Sequence, residues 1–309
     1  MKNSLITYVP EVKKRFSPDA PMGVSLRLAN ASVEELLAKP EERIWLKKFL
    51  QDNQLYIFTV NAFPYGPFKG ELVKERVYEP DWTTEARTQY TMHIADILAE
   101  VTDQSVEPTI QTAPLAYRPK ATTPEFIASF DENIYRVIAH LMTLEKKTGH
   151  RVKLAVEPEP FCFLETIPET VEWFKEKIYS LKAAEKIAKY SGQPLSEVFG
   201  ATRRYLGIVL DICHQSVAFE DIAADIFSNY KEKVEEFIPT IIHEVMDVFY
   251  HSEFGLILEN VHEDGSFSDS FEGRLLNPGH AIEAMWFIMD LGKRTNDEKL
   301  IHRAKDIML

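Results

Sequence analysis

The residues best suited to do chemistry sit at the ends of two apolar runs. In LAVEPEP, Glu157 directly follows an apolar run and Glu159 comes two residues later. In YLGIVLDICHQSVAFED, Asp211 closes a second run and His214 lies three residues on. Both runs read as strands, Val152–Glu157 and Tyr205–Asp211. In parallel α/β folds the loops after the carboxyl ends of strands collect functional groups. Adjacent strands lie about 5 Å apart, so Glu157 and Asp211 can point at one ion with His214 as a third ligand. Two carboxylates and an imidazole suit Mn²⁺, Mg²⁺ or Zn²⁺. The plain alternative is a solvated Glu-Pro-Glu-Pro loop and an Asp and His that cap a helix. Cys213, between Asp211 and His214, reads as a packed thiol, because a metal-bound thiolate usually has more Cys or His nearby.

A second group lies in LLNPGHAIEAMWFIMDLG, residues 275–292. Asn277 suits a helix cap and Pro278 the first helical position. On the helix that follows, expected over Gly279–Leu291 with Gly292 as its stop, His280, Glu283 and Trp286 recur every third residue. Each step of three turns the position by about 60°, so the three lie along one flank. A neutral imidazole can serve as a general base, a carboxylate one turn away can orient it, and an indole offers a face to a sugar ring. The same spacing also describes an amphipathic helix with a core Trp and a capping His.

The elements that must position these groups alternate over most of the chain. Six strands are expected: Leu5–Val9, Gly23–Leu28, Leu55–Asn61, Pro108–Thr112, Val152–Glu157 and Tyr205–Asp211. Between them, Ser32–Asp52, Thr84–Glu100 and Thr123–Thr148 carry helical periodicity. Thr166 and Glu169 with Pro168 form the signature of a capping box that opens a further helix. This alternation predicts a mostly parallel sheet. It stops near Asp221, and from about residue 229 the pattern is helix, long loop (Tyr250–Asn277) and two helices, the last over Asp297–Met308. No glycine-rich phosphate loop follows a strand, so no nucleotide cofactor is expected.

Composition narrows the function. The chain has 309 residues, with 35 Lys+Arg against 48 Asp+Glu and a net charge of −13. That balance disfavours binding to a phosphate backbone, so no nucleic-acid partner is expected. No apolar run approaches the roughly 20 residues of a membrane span. The N-terminus lacks the pattern of a secretory signal, and two cysteines, Cys162 and Cys213, fit a reducing compartment. The expectation is a cytoplasmic protein that handles a small molecule.

Two resemblances add to this reading. The stretches GVSLRL, NAFPYGPFKGELVKERVYEPDWT, LAVEPEPFCFLET and LGIVLDICHQSVAFED resemble the ebo-type metabolite-traffic proteins, a branch of the xylose-isomerase-like TIM barrels. That likeness covers residues 1–225. It implies metal and substrate contacts from Glu157, Asp211 and His214, with Glu159 in support. The stretches FIPTIIHEVMDVFYHSEFGLILENV and HEDGSFSDSFEGRLLNPGHAIEAMWFIMDLG resemble the middle of the N-acylglucosamine 2-epimerase family. That likeness covers residues 230–309 and implies an (α/α)₆-type fragment with His280 as a catalytic histidine and Glu283 and Trp286 beside it. His302 is expected on the surface.

The fold class implied is α/β: an incomplete, six-stranded xylose-isomerase-like TIM barrel over 1–225, then an α-helical fragment over 226–309. Six strands would leave two open sheet edges, a route to homo-oligomers. The function implied is that of a sugar isomerase or epimerase. The alternatives are a binding or trafficking protein without turnover and an inactive chimera of two truncated genes.

Overall fold

The structure is a computed structural model that describes residues 2–66, 77–218, 220, 238–262, 264–270, 273–274, 276 and 278–308. The chain divides into two compact units, Met1–His214 and Gln215–Leu309.

The first unit opens with helix α1 (Lys2–Phe16), where Leu5–Val9 was expected to be a strand. The β-branched and aromatic run there is a weak preference, and packing overrides it. Helical spacing of four places buried Leu5 in line with Val9 and buried Lys13, and Val9 packs against the main core. Among the described residues of this unit the strands are then five, not six. They are β1 (Met22–Arg27), β2 (Leu55–Asn61), β3 (Thr109–Thr112), β4 (Lys153–Val156) and β5 (Leu206–Ile208). All pair in parallel in the order β1-β2-β3-β4-β5. This is an open parallel sheet among the described residues, with β1 and β5 at its edges.

Helices α2 (Asn30–Ala38) and α3 (Pro40–Asp52) replace the single helix expected over Ser32–Asp52. Pro40 has no N–H to donate and pushes Lys39 out of helical geometry, to φ −121° and ψ 88°. Helices α4 (Glu85–Val101) and α5 (Pro124–Thr148) are capped by Thr84 and Thr123, each accepting an N–H from inside its first turn. At the far end of α5, Gly149 takes φ +74°, the left-handed turn that a side chain resists. The strand residues on one face, among them Ile57, Val60, Ile110, Leu154 and Val156, are fully buried. They share one core with Ile94, Leu98, Ile134, Ile138 and Leu141 of α4 and α5.

Beyond β4, the Thr166 capping box forms as expected and opens α6 (Ile167–Trp173), which runs on as a wider turn over Phe174–Ile178. Helices α7 (Leu181–Ser191) and α8 (Leu195–Val198) lead to β5. Strand β5 is shorter than the expected Tyr205–Asp211. A short helix of 3₁₀ type, Thr202–Arg204, precedes it, and the six-residue helix α9 (Ile212–Val217) starts four residues after it.

In the second unit a helical stretch over residues 238–243 continues through the wider turn Glu244–Val248. The expected long loop contains an antiparallel hairpin, β6 (Tyr250–His251) with β7 (Leu256–Ile257). Helices α10 (Pro278–Thr295) and α11 (Glu298–Met308) follow. Gly292 does not stop α10. A Cβ there would lie 2.6 Å from Ile301 Cγ1, so the glycine lets α11 pack closely. Met246, Met285, Ile288 and Ala304 form the buried core of this unit.

Candidate functional site

The sheet register explains why the acidic groups meet. Asn61, Gln111, Ala155 and Gly207 lie side by side across β2, β3, β4 and β5. Side chains alternate along a strand, so Glu157, two residues past Ala155, shares the face of Gln111. Its backbone N–H donates to Thr112 O at 3.1 Å, which carries the β3–β4 pairing one residue further. The N–H of Val209 donates to Val156 O at 2.8 Å, and this brings the chain after β5 alongside.

Glu157, Asp211 and His214 come together as the sequence suggested. One ligand atom from each lies within 4.8 Å of the others. His214 Nδ1 is 3.7 Å from Glu157 Oε1, and His214 Nε2 is 3.7 Å from Asp211 Oδ2. A divalent ion with bonds of about 2.1 Å keeps its ligand atoms about 3–4 Å apart. Two carboxylates and one imidazole are donors that suit such an ion, and one ligand atom from each lies within 4.8 Å of the others, somewhat wider than a bound ion would hold them.

Each of the three has one polar atom tied down by the fold. His214 Nδ1 lies 3.1 Å from Pro158 O. A carbonyl only accepts, so Nδ1 carries the proton and a neutral ring keeps its lone pair on Nε2. Asp211 Oδ1 accepts the N–H groups of Cys213 at 2.8 Å and His214 at 3.3 Å, and so caps α9. Gln111 Nε2 donates to Glu157 Oε2. The atoms left over are Glu157 Oε1, Asp211 Oδ2 and His214 Nε2. Capping and ligation were alternatives for Asp211 in the sequence, and its two oxygens accommodate both.

Burial pushes the Glu157 carboxyl above the ordinary carboxylate range, against the opposing pull of Gln111 and His214. Glu159 is raised for the same first reason, burial. Its Oε1 accepts the Tyr78 hydroxyl at 3.1 Å, and its charge interacts with His214 and Asp211. Tyr78 stacks on Tyr117, with ring centroids 6.0 Å apart. Cys162 is buried and its thiol is held far from ionisation, first by that burial. Cys213 is half-buried, between two of the clustered residues. Gln111 and Tyr78 were not singled out from the sequence. Alternation along β3 was the available signal for Gln111, and Tyr78 lies inside the VYEPDW motif.

In the second unit His280 is exposed near the start of α10. Its Nδ1 meets Glu259 Oε2 at 3.1 Å and Oε1 at 3.3 Å. A carboxylate in contact with it is therefore Glu259, two residues past β7, where the helical spacing had suggested Glu283. Glu259 directly follows the apolar run LIL, the same sequence signal that marked Glu157. Trp286 is half-buried and its ring packs edge-on against Phe287, with centroids 5.6 Å apart. His302 is exposed, as expected.

Residues 211–309 match the N-acylglucosamine 2-epimerase (GlcNAc 2-epimerase) family. The stretch contains His280, Glu283 and Trp286, and it opens on Asp211 and His214. Over 54 residues the chain is 47% identical to the N-acylglucosamine 2-epimerase of Rattus norvegicus, which is 18% of this chain and 13% of the rat protein. The Mus musculus enzyme is 47% identical over 45 residues, 15% of this chain and 11% of that protein. The chain thus spans 11–13% of the length of these curated relatives. Among solved structures, the probable 3-DHS dehydratase AsbF of Bacillus anthracis overlaps 68% of this chain and 59% of its own, at 13% identity and a TM-score of 0.37. So loose an overlap leaves the fold of the first unit resting on its own strand pairing.

Proposed function

We propose that this chain acts on a sugar or sugar-like metabolite as an isomerase or epimerase, with Glu157, Asp211 and His214 holding a divalent ion. The convergence of these three side chains, each with one atom fixed and one left over, carries the reading. The epimerase-family match over residues 211–309 supports the sugar class. A bound ion supplies Lewis acidity at a hydroxyl or carbonyl oxygen. Glu159, a carboxylate outside the three ligands and raised by burial, moves the proton at the adjacent carbon through Oε2, while Tyr78 holds Oε1. Calorimetric titration of the full chain with Mn²⁺ is expected to show one site, weakened tenfold or more in Glu157→Ala and in Asp211→Ala. Wild-type protein that takes up neither Mn²⁺ nor Zn²⁺ sinks the proposal. Sugars that raise the melting temperature without giving product would turn the reading to a carrier of metabolites.

A second reading places epimerase chemistry on His280. It is favoured by the His280–Glu259 pair, which leaves Nε2 as the basic nitrogen, on a segment matching a sugar epimerase family. Inverting a carbon needs a proton-carrying group on each of its faces, and His280 supplies one. Interconversion of N-acylglucosamine and its 2-epimer, followed by proton NMR, is expected to vanish in His280→Ala. An unchanged rate discards this reading.

A further inference from the structure

We infer that Gln111 is a positioning residue that turns Glu157 into a one-oxygen ligand, an inference that rests on the ion-holding role proposed for the cluster. Gln111 sits on β3, and its register partner on β4 is Ala155. Glu157 is therefore its diagonal neighbour on the same sheet face, within reach of a long side chain. The Gln111 amide N–H occupies Glu157 Oε2. The other oxygen, Oε1, lies 3.7 Å from His214 Nδ1 and is the one left to the cluster. A carboxylate left to itself can rotate and offer either oxygen or both. With Oε2 engaged, rotation costs a hydrogen bond in a half-buried place, and one oxygen is presented at one angle. Ala155, with a small side chain beside Gln111, leaves the room for this diagonal reach. His214 and Asp211 are fixed by the backbone, through Pro158 O and through the N–H groups of α9. Glu157 alone of the three takes its orientation from another side chain, so it is the ligand that a single substitution at a different position can release. Groups behind metal ligands commonly contribute tenfold to a hundredfold in affinity.

The test uses the full chain and Mn²⁺, titrated by calorimetry into wild type, Gln111→Met, Glu157→Gln and the double variant. Methionine keeps the length of glutamine and donates no hydrogen bond. Gln111→Leu is the second variant if the first does not fold, as judged by circular dichroism. The expected result is a tenfold to hundredfold weaker Mn²⁺ site in Gln111→Met, with no further loss when that change is added to Glu157→Gln. A Gln111→Met protein that binds Mn²⁺ as wild type does overturns this inference and leaves the ion site standing. An equal additional loss in the Glu157→Gln background also overturns it, because the effect would then not pass through Glu157. Wild type that binds no Mn²⁺ overturns the ion site and this inference with it.

Discussion

Glu157 illustrates how a site is held against the preference of the fold. Burial favours its protonated form, so the carboxylate is a charge that folding resists. The sign follows from that shift. A raised folded-state pKa contributes stability below the unfolded value, and the contribution is lost as pH rises through the folded value. Glu157→Gln, which cannot ionise, is therefore expected to melt higher than wild type at pH 7–8 when both are metal-free. The gain should shrink as pH falls into the ordinary carboxylate range. Thermal melts across that pH range check this, and a gain that persists at acid pH refutes it. Such a gain would be the usual trade if the charge serves the proposed ion. At this scale the sequence disclosed the residues that cluster, because acids and an imidazole stood after apolar runs. Gln111 and Glu259 carried signals of their own, but their pairing with Glu157 and His280, 46 and 21 residues away, is set only in the folded chain.

At the scale of the element, local chemistry was legible wherever a side chain serves its own backbone. The Thr166 box is such a case, with Thr166 Oγ1 accepting from Glu169 N at 3.3 Å and Glu169 reaching back to Thr166 N. Glu169 also pairs with Arg118 at 2.7 Å. Thr166→Ala is expected to cost about 1 kcal/mol, as the loss of such a cap usually does, and to lower the urea midpoint without changing the slope. A midpoint equal to wild type would show that the Glu169–Arg118 pair holds the helix start without the threonine. Elements decided by packing were not legible. The run Leu5–Val9 has strand composition, yet it docks one helical face on the core. Gly292 has the look of a helix stop, yet α11 needs the space above it. Propensity speaks first in a sequence, and burial outvotes it.

The molecule divides into two units whose cores, among the described residues, are of unequal size. The first buries residues from every strand of the sheet and from α4, α5, α6 and α7 in one cluster. Among the described residues, the second buries Met246, Met285, Ile288 and Ala304 together. Free energies of local opening track buried apolar contact. Amides of α5 between Ile134 and Leu144 are expected to exchange with deuterium about a hundredfold or more slower than those of α10 between Ile282 and Met289. That ratio corresponds to about 2.7 kcal/mol, and equal protection in the two helices would refute the expectation. The sequence showed the change of architecture clearly, since strand-helix alternation stops and helical periodicity takes over. It overstated the strand count of the first unit, because a β-branched run and a packed helix face look alike in one dimension.

Asp211 begins α9 with one oxygen and turns the other toward His214, 3.7 Å from its Nε2. If the proposed ion binds, a single carboxylate shared in this way would wire the first turn of a helix to it. Whatever draws electron density from Oδ2 weakens Oδ1 as an acceptor, and the amide protons of Cys213 and His214 feel the difference. Those two resonances are a built-in reporter: their positions in a nitrogen–proton spectrum would register the arrival of a ligand with no label, no substrate and no turnover.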